Sequence, residues 1–178
     1  MNRHIKIGKP TPQWAELARR LYLDAFPAEE RRDWSTILMQ PSDTRRGPFL
    51  KCIGLEDVFA GMITTWHFDD FNYIEHLATD PAVRGAGVGS LVLSMLRQGF
   101  RTPWVIEVER PSDDNPMAAR RIAFYQRNGF TLLDYDYIQP PYGPGLPEVP
   151  LLLMSTDPAI DPETAASTLR RKVYGAEQ

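Results

Sequence analysis

A glycine-rich turn between a predicted strand and a predicted helix is the part of the sequence best suited to bind a ligand. The strand covers residues 73–78, an amphipathic helix begins near Val88, and the turn carries Gly85, Gly87 and Gly89. The first N–H groups of a helix have no intrahelical acceptor, and the helix dipole favours negative charge there. Glycines let the backbone approach a ligand where a Cβ would intrude. The pattern therefore predicts a cradle for a phosphate group.

Three carboxylates lie in predicted strands that are otherwise apolar. They are Glu75, Glu107 and Glu109, and alternation along a strand places Glu75 on the same face as Leu77 and opposite His76. An unpaired buried carboxylate is costly, so acids in central strands indicate a wet cleft. A carboxylate in such a cleft can act as a general base. His76 is expected to be a core histidine with satisfied hydrogen bonds.

Other phosphate-binding turns fit this segment less well. A P-loop ends in Gly-Lys-Ser/Thr, and no lysine precedes the hydroxyl in Gly89-Ser90. A dinucleotide-binding turn places its first glycine directly after the strand, whereas here Arg84 and a polar turn come between. The pattern R-x-x-G-x-G, with Arg84, Gly87 and Gly89, fits the segment better.

That pattern resembles the acyl-CoA-binding motif of the GNAT N-acetyltransferase superfamily. A second segment, RIAFYQRNGF, is similar to the helix-to-strand segment of the same family, with its aromatic-Tyr-x-x-x-Gly-Phe pattern at Phe124, Tyr125, Gly129 and Phe130. The resemblance covers about residues 3–156. It implies an α/β fold, classed as α+β in some schemes, with a mixed, mostly antiparallel sheet flanked by helices. It also implies a V-shaped splay between the fourth and fifth strands.

The resemblance implies acetyl-CoA as the co-substrate. The pyrophosphate would lie on the glycine turn, and the pantetheine arm would pair with the preceding strand like an added strand. The residues expected to bind acetyl-CoA are Leu77, Ala78, Thr79, Arg84, Gly85, Ala86, Gly87, Val88, Gly89, Ser90, Ala118, Phe124, Tyr125 and Arg127. Many family members have Asn where Ala118 stands, and Asn115 is expected to cap a helix instead.

The resemblance also implies catalytic roles. Tyr125 matches the tyrosine that serves as general acid in many members. A tyrosine pKa near ~10 and a thiol pKa near ~8.5 differ little, so position matters more than driving force. Glu107 resembles the glutamate that other members use as a base, and Glu75 lies on the strand where further members place theirs. A chain of water molecules could serve as the base instead of either glutamate, and Tyr125 could be a packing residue.

The acceptor is expected to be an amine, either a small molecule or a peptide. Two loops of this fold flank the acceptor side, and they contribute Phe26, Glu29, Glu30, Tyr137 and Tyr142. Carboxylates attract an ammonium group and aromatic faces add cation–π attraction, so these residues predict a cationic acceptor. Arg31 and Arg32 weigh against this prediction, because they could receive an acceptor carboxylate instead.

Composition restricts the class of protein. The chain has 178 residues, a formal charge of −3 and no basic run, which argues against nucleic acid as a partner. The single cysteine, Cys52, is expected to be a core residue of a protein in a reducing compartment. We find neither a signal peptide nor a membrane-spanning segment, and expect a cytoplasmic protein with no membrane partner. No metal site is expected, and a homodimer is left open.

Hydrophobic spacing and capping residues predict the elements that must hold these groups in place. Strands are expected over residues 3–8, 49–55, 58–68, 104–109, 131–138 and 149–155, in addition to the strand before the glycine turn. Helices are expected over residues 12–25, 29–39, 88–99 and 116–127, with a further helix starting at Asp161-Pro162. We divide the chain into an acetyltransferase domain, 1–156, and a C-terminal helical appendage, 157–178.

Two other functions stay open at this stage. A domain of this fold that binds acyl-CoA without catalysis would act as a sensor or scaffold, and a cleft plugged by side chains would favour it. A protein that binds a different phosphate ligand would require the match of the glycine turn to be misleading. Tyr125 together with the strand carboxylates favours the enzyme.

Overall fold

One mixed sheet forms the centre of the molecule. A computed structural model describes residues 4–39 and 47–176. In that part the sheet order is β1-β2-β3-β4-β5-β8-β6, with β7 also paired to β8. The parallel pair is β4–β5, and the other neighbours run antiparallel. The strands are β1 Ile5–Gly8, β2 Phe49–Leu55, β3 Val58–His67, β4 Asn72–Thr79, β5 Trp104–Glu109, β6 Thr131–Leu132, β7 Tyr137–Gln139 and β8 Val149–Ser155.

Helices cover the sheet, and local capping explains where they begin. Thr11 caps the first helix by accepting a hydrogen bond from the Trp14 amide, and Asn115 does the same for Ala118. A proline follows each of these caps, where its missing N–H costs nothing. The α-helices are α1 Pro12–Ala25, α2 Trp34–Leu38, α3 Val88–Gly99, α4 Pro116–Arg127 and α5 Pro162–Thr168, which continues into a π-helical turn Leu169–Val173.

The sheet forks between β4 and β5. The two strands pair only from Asn72–Trp104 to Ile74–Ile106, and beyond that point each continues without the other. A β-bulge begins the separation, because Ile74 pairs with Thr65 and His76 with Thr64, which leaves Glu75 without a partner across the ladder. A bulge bends its strand and re-aims its side chains. The predicted splay between the fourth and fifth strands is confirmed, as is the fold class.

Three apolar clusters hold these layers together. One packs α3 and α4 against the sheet through residues such as Val92, Ile106 and Ile122. A second packs α1 against β2 and β3. The third contains Tyr73 and Val105 of the sheet together with Leu169 and Val173 of the C-terminal segment. Leu169 and Val173 of the C-terminal segment are thus buried against the sheet.

Two predicted elements are broken in the structure. The helix predicted over residues 29–39 is instead a 3-10 turn, Ala28–Glu30, followed by the short helix α2. Arg31 is extended between them, and Asp33 caps α2 by accepting from the Ser35 amide. The strand predicted over residues 131–138 is two strands, β6 and β7, separated by a turn in which the Tyr135 amide donates to the Leu133 carbonyl. Arg3, the first residue of the predicted first strand, lies outside the described residues.

Candidate active site

A cleft of about 710 Å³ opens where β4 and β5 separate. The glycine turn and the start of α3 lie at one end, and Glu75, Glu107 and Tyr142 lie at the other. Backbone groups of β4 beyond Ile74 have no partner on β5, so an extended ligand can hydrogen-bond to that edge. The fork therefore creates both the space and the edge that an elongated ligand needs.

The glycine turn has the backbone geometry of an anion cradle. Gly85 and Gly87 have φ values of +78° and +75°, a region that residues with a Cβ rarely adopt. Gly87 is the N-cap of α3, so the N-terminus of that twelve-residue helix faces the cleft. A Cβ at Gly89 would come within 3.1 Å of the Phe124 ring, a close contact that would push the ring away by a few tenths of an ångström.

The structure brings most of the predicted acetyl-CoA residues together around the cleft. Ala86 is half-buried against the core, Ala118 is fully buried inside α4, and Arg127 is exposed on the last turn of α4, so these three do not line it. Those that do are Leu77, Ala78, Thr79, Arg84, Gly85, Gly87, Val88, Gly89, Ser90, Phe124 and Tyr125.

Tyr125 lines the cleft from α4. Its ring packs edge-on against Phe124 and Phe130, with centroid distances of 5.2 and 5.5 Å. Burial raises the pKa of Tyr125 to about 12, while the charge of Arg121 acts in the opposite direction. The hydroxyl is therefore protonated at neutral pH, and it has no hydrogen-bond partner among the described residues.

Glu75 is fully engaged with other side chains. Its carboxylate accepts from Arg32 Nε at 2.5 Å, from Trp66 Nε1 at 2.8 Å and from the Tyr142 hydroxyl at 3.0 Å. Burial alone would raise the pKa of Glu75, but Arg32 and these hydrogen bonds hold it below its usual range. Because of the bulge, Glu75 contacts this group, while Leu77 packs with the α3 cluster, so the predicted shared face is wrong.

The two carboxyl oxygens of Glu107 differ in their hydrogen bonding. The hydroxyls of Tyr73 and Tyr174 donate to Oε2 at 2.7 and 2.6 Å, whereas Oε1 is buried without a partner among the described residues. Burial raises the pKa of Glu107, and hydrogen bonding with Tyr137, Tyr174 and Tyr73 opposes that rise. Glu107 lines the cleft, but its Oε1 atom is buried, and the Tyr137 hydroxyl, which is also buried without a completed hydrogen bond to the described residues, acts on the same carboxyl group.

The predicted acceptor residues separate into two groups. Phe26, Glu30 and Tyr142 line the cleft, but Glu29 does not, and Tyr137 is buried in the third apolar cluster. Burial, reinforced by the charge of Glu109, raises the pKa of Glu30 to about 7. His76 Nε2 lies 2.9 Å from the Glu30 carbonyl oxygen and Nδ1 lies 2.9 Å from the Thr64 hydroxyl, so this histidine is satisfied as predicted.

Arg32 has a role that the sequence did not reveal. Its side chain is 14% exposed, pairs with Glu75 and donates to the Val173 carbonyl. The guanidinium also lies 5.1 Å from the Trp66 ring centroid and 4.9 Å from that of Tyr142. Arg31 donates to the Leu23 carbonyl at 3.2 Å. These contacts occupy both arginines and weaken the alternative in which they receive an acceptor carboxylate.

Three further residues of the site were missed. Tyr73 and Tyr174 hold Glu107, and Gln139 of β7 lines the cleft with a buried Nε2 that has no partner among the described residues. Glu107 and Tyr174 are 67 residues apart in the chain, so no local pattern could have joined them.

Comparison with known proteins gives the same picture. Residues 51–132 match the family model described as the acetyltransferase (GNAT) domain. A solved structure from Bacteroides thetaiotaomicron, named "Putative acetyltransferase from GNAT family", is 38% identical, covers 97% of this chain and 99% of its own, and superposes with a TM-score of 0.85. The Bacillus subtilis protein named "Putative acetyltransferase YjbC" is 32% identical over 63 residues, which span 35% of this chain and 32% of that protein.

A more distant structure shows the shared fold. Naa50 of Arabidopsis thaliana, solved with the bisubstrate analogue CoA-Ac-MVNAL, is 18% identical, with 85% and 97% of the two chains covered and a TM-score of 0.56. The forked sheet, the glycine turn beside it and the matches to acetyltransferases together identify an enzyme of the acyltransferase class. The chain belongs to the GNAT acetyltransferase family.

Two kinds of feature are absent from the described part of the chain. No helix in residues 4–39 and 47–176 is long and apolar enough to cross a membrane. The same residues contain no group of three or more His, Cys, Asp or Glu side chains that could hold a metal ion.

Proposed function

We propose that this protein transfers the acetyl group of acetyl-CoA to an amine, by direct attack of the amine while both substrates are bound. The observation that carries the proposal is the open fork between β4 and β5. It joins a glycine turn suited to phosphate at one end with a carboxyl group at the other, and it is open rather than plugged by side chains. An open cleft favours an enzyme over a sensor that only binds acyl-CoA.

The donor half of the cleft fits acetyl-CoA. The amides at the start of α3 and the positive-φ glycines suit a pyrophosphate, with Arg84 beside them. The edge of β4 at Leu77, Ala78 and Thr79 suits the amide groups of a pantetheine arm. When bound, acetyl-CoA supplies an activated acetyl thioester. Backbone N–H groups at this edge would stabilise negative charge on its carbonyl oxygen.

Tyr125 is the proposed general acid. Its hydroxyl is protonated, faces the cleft and is free to donate a hydrogen bond to a leaving sulfur atom. The raised pKa makes it a weak acid, so its contribution depends on position and on hydrogen bonding more than on driving force.

Glu107 is the proposed general base, acting directly or through water. An amine acceptor must lose a proton to become a nucleophile, and Oε1, which accepts no completed hydrogen bond from the described residues, is the oxygen that would take up that proton. A base is more effective when its pKa approaches the working pH, and burial moves Glu107 in that direction. Glu75 is a poorer base because Arg32, Trp66 and Tyr142 occupy its oxygens. We infer that Glu75 holds the cleft wall in place.

The proposed acceptor is a cationic amine, from a small molecule or a peptide. Glu30 and Phe26 lie at the acceptor end, where a carboxylate and an aromatic face attract an ammonium group. The Tyr142 ring forms part of the same wall. Because Arg32 neutralises Glu75, the attraction depends chiefly on Glu30 and on the fraction of Glu107 that is ionised.

An amine panel tests the proposal. Small amines, polyamines and peptides, each with and without a neighbouring carboxylate, are incubated with acetyl-CoA at several salt concentrations, and thiol release is measured. We expect enzyme-dependent release with an amine that lacks the carboxylate, weakened by salt. Binding of acetyl-CoA without release for any amine would favour the non-catalytic sensor. A preference for carboxylate-bearing amines that is lost in Arg31→Ala or Arg32→Ala would refute the cationic acceptor.

A further inference from the structure

Tyr174 follows the C-terminal π-helical turn and contacts two residues that line the cleft, Glu107 and Tyr142. Ala165, Ala166, Leu169 and Val173 are buried in the third apolar cluster together with strand residues of the sheet. This packing fixes the backbone that carries Tyr174, the next residue. The Tyr174 side chain is therefore held in one place by the core and not by its own contacts alone.

The Tyr174 hydroxyl meets Glu107 at the apex of the fork. It donates to Oε2 at 2.6 Å and lies 3.2 Å from the Tyr73 hydroxyl, which donates to the same oxygen at 2.7 Å. Two donors on one carboxyl oxygen prevent rotation of the carboxyl group. As a result, Oε1 keeps one orientation, in which it is buried without a completed hydrogen bond from the described residues.

The same segment also contacts residues that bind the second carboxylate of the fork, Glu75. Arg32 binds Glu75 and donates to the Val173 carbonyl, and its guanidinium lies 6.0 Å from the Tyr174 ring centroid. The Tyr174 ring also packs 5.0 Å from that of Tyr142, which donates to Glu75. The C-terminal segment thus contacts Glu107 directly, and it contacts Arg32 and Tyr142, the residues that bind Glu75.

We propose that Tyr174 is a positioning residue that orients Glu107 for proton transfer from the acceptor amine. The proposal rests on the proposed function, since it assigns Glu107 the role of base. Tyr174 touches no reacting atom; it acts through the carboxyl group that it holds. The C-terminal segment is accordingly a component of the active site.

Loss of this hydroxyl should raise the pKa of Glu107. Several titratable groups act on Glu107 or respond to its charge. They are Glu30 after α1, Tyr73 and Glu75 of β4, Tyr137 of β7, Tyr142 in the loop after β7, and Tyr174 near the C-terminus. Burial raises the pKa of Glu107, and the Tyr174 hydrogen bond lowers it by favouring the carboxylate. Removing a hydrogen bond to a charged group changes a pKa by about one unit.

The test compares Tyr174→Phe with wild type and with Tyr135→Phe. Tyr135 packs against the same apolar cluster and has no side-chain hydrogen bond among the described residues. In Tyr174→Phe we expect the acid limb of the kcat/KM profile to move up by about one pH unit, so that kcat/KM at a given pH on that limb falls about tenfold, since less Glu107 is ionised. Tyr135→Phe should keep the wild-type profile. An unmoved limb in Tyr174→Phe would overturn the proposal.

A second measurement is independent of turnover. Glutamate labelled with ¹³C at the carboxyl carbon gives a Glu107 signal, assigned by its loss in Glu107→Gln, that can be titrated in wild type and in Tyr174→Phe. We expect the titration midpoint to be about one unit higher in Tyr174→Phe. Identical Glu107 titrations would refute the positioning role. If no amine is acetylated, the proposed function fails, and this titration still decides whether Tyr174 controls Glu107.

Discussion

The two carboxyl groups at the fork have different environments, which suit them to different tasks. Glu75 is paired with an arginine and accepts two further hydrogen bonds, whereas Glu107 is surrounded by tyrosines, two of which donate to the same oxygen. Charge pairing lowers a carboxyl pKa, and burial without a cation raises it. The pKa of Glu75 is therefore held below its usual range, and the pKa of Glu107 is raised above it.

At the residue scale, the first prediction concerns Tyr125. Tyr125→Phe should lower kcat by ~10²–10⁴ while acetyl-CoA affinity is nearly kept, because the ring stays and only the proton donor is removed. Steady-state kinetics together with calorimetric acetyl-CoA titration measure both quantities. Tyr135→Phe serves as the control. A loss of acetyl-CoA affinity at unchanged kcat would reassign Tyr125 to packing.

The second residue-scale prediction concerns the pH dependence of acceptor binding. The pKa of Glu30 is about 7, so its carboxylate is charged above that pH and becomes neutral below it. KM for a cationic amine should therefore rise as the pH falls from 8 to 6. Glu30→Gln should raise KM at pH 8 about tenfold and remove most of this dependence. Glu29→Gln is the matched control, since Glu29 is adjacent but does not line the cleft. Equal effects of the two substitutions would contradict the assignment.

At the scale of elements, the glycine turn and α3 act together as one binding unit. The positive φ of Gly87 turns the chain so that the N-terminus of α3 points into the cleft. The bulge at Glu75 performs a matching task on the other side, since it bends β4 away from β5 and exposes the edge that the ligand needs. Neither element would create a donor site without the other.

The element-scale prediction is that Gly87→Val abolishes stabilisation by acetyl-CoA. A ligand at a hundred times its Kd stabilises the native state by about 2.7 kcal/mol, which raises the Tm of a protein of this size by about 5–10 °C. The substitution places a branched side chain at φ +75° in the cradle, so this shift should disappear. Gly99→Val, at the far end of the same helix and with open space around it, should keep the shift. An unchanged shift in Gly87→Val would place the cradle elsewhere.

At the scale of the whole molecule, the C-terminal segment joins the core to the active site. Leu169 is fully buried against the sheet, and five residues later Tyr174 holds Glu107. The third apolar cluster thus connects the stability of the fold to the geometry of the base. We propose that residues 157–178 fold with residues 1–156 as one unit.

The whole-molecule prediction is that Leu169→Ala destabilises the protein by about 2–5 kcal/mol, the cost of a buried leucine truncated to alanine. Chemical denaturation with a single transition measures this free energy. Arg171→Ala, on the exposed side of the same turn, should change it by less than about 0.5 kcal/mol. A loss of that small size for Leu169→Ala would show that the segment is peripheral.

The sequence by itself determined the features whose signals are local. The strand, glycine turn and helix around Gly87, the caps at Thr11 and Asn115, and the motif at Tyr125 all depend on neighbours a few residues away, so spacing was enough to predict them. The fold class was implied by the family resemblance that these motifs carry. Most residues of the glycine turn line the cleft, and this could also be predicted from their local spacing.

Only the tertiary structure decided which charges meet. A single bulge moved Glu75 off the face that strict alternation predicted, because one extra residue changes the direction of the side chain. Arg32 reaches Glu75 across 43 residues of chain, and Tyr174 reaches Glu107 across 67. Such pairings depend on how β4, β5 and the C-terminal segment pack together, and no pattern along the chain encodes that distance. The charge states of the two acids, and with them their roles, come from these long-range contacts.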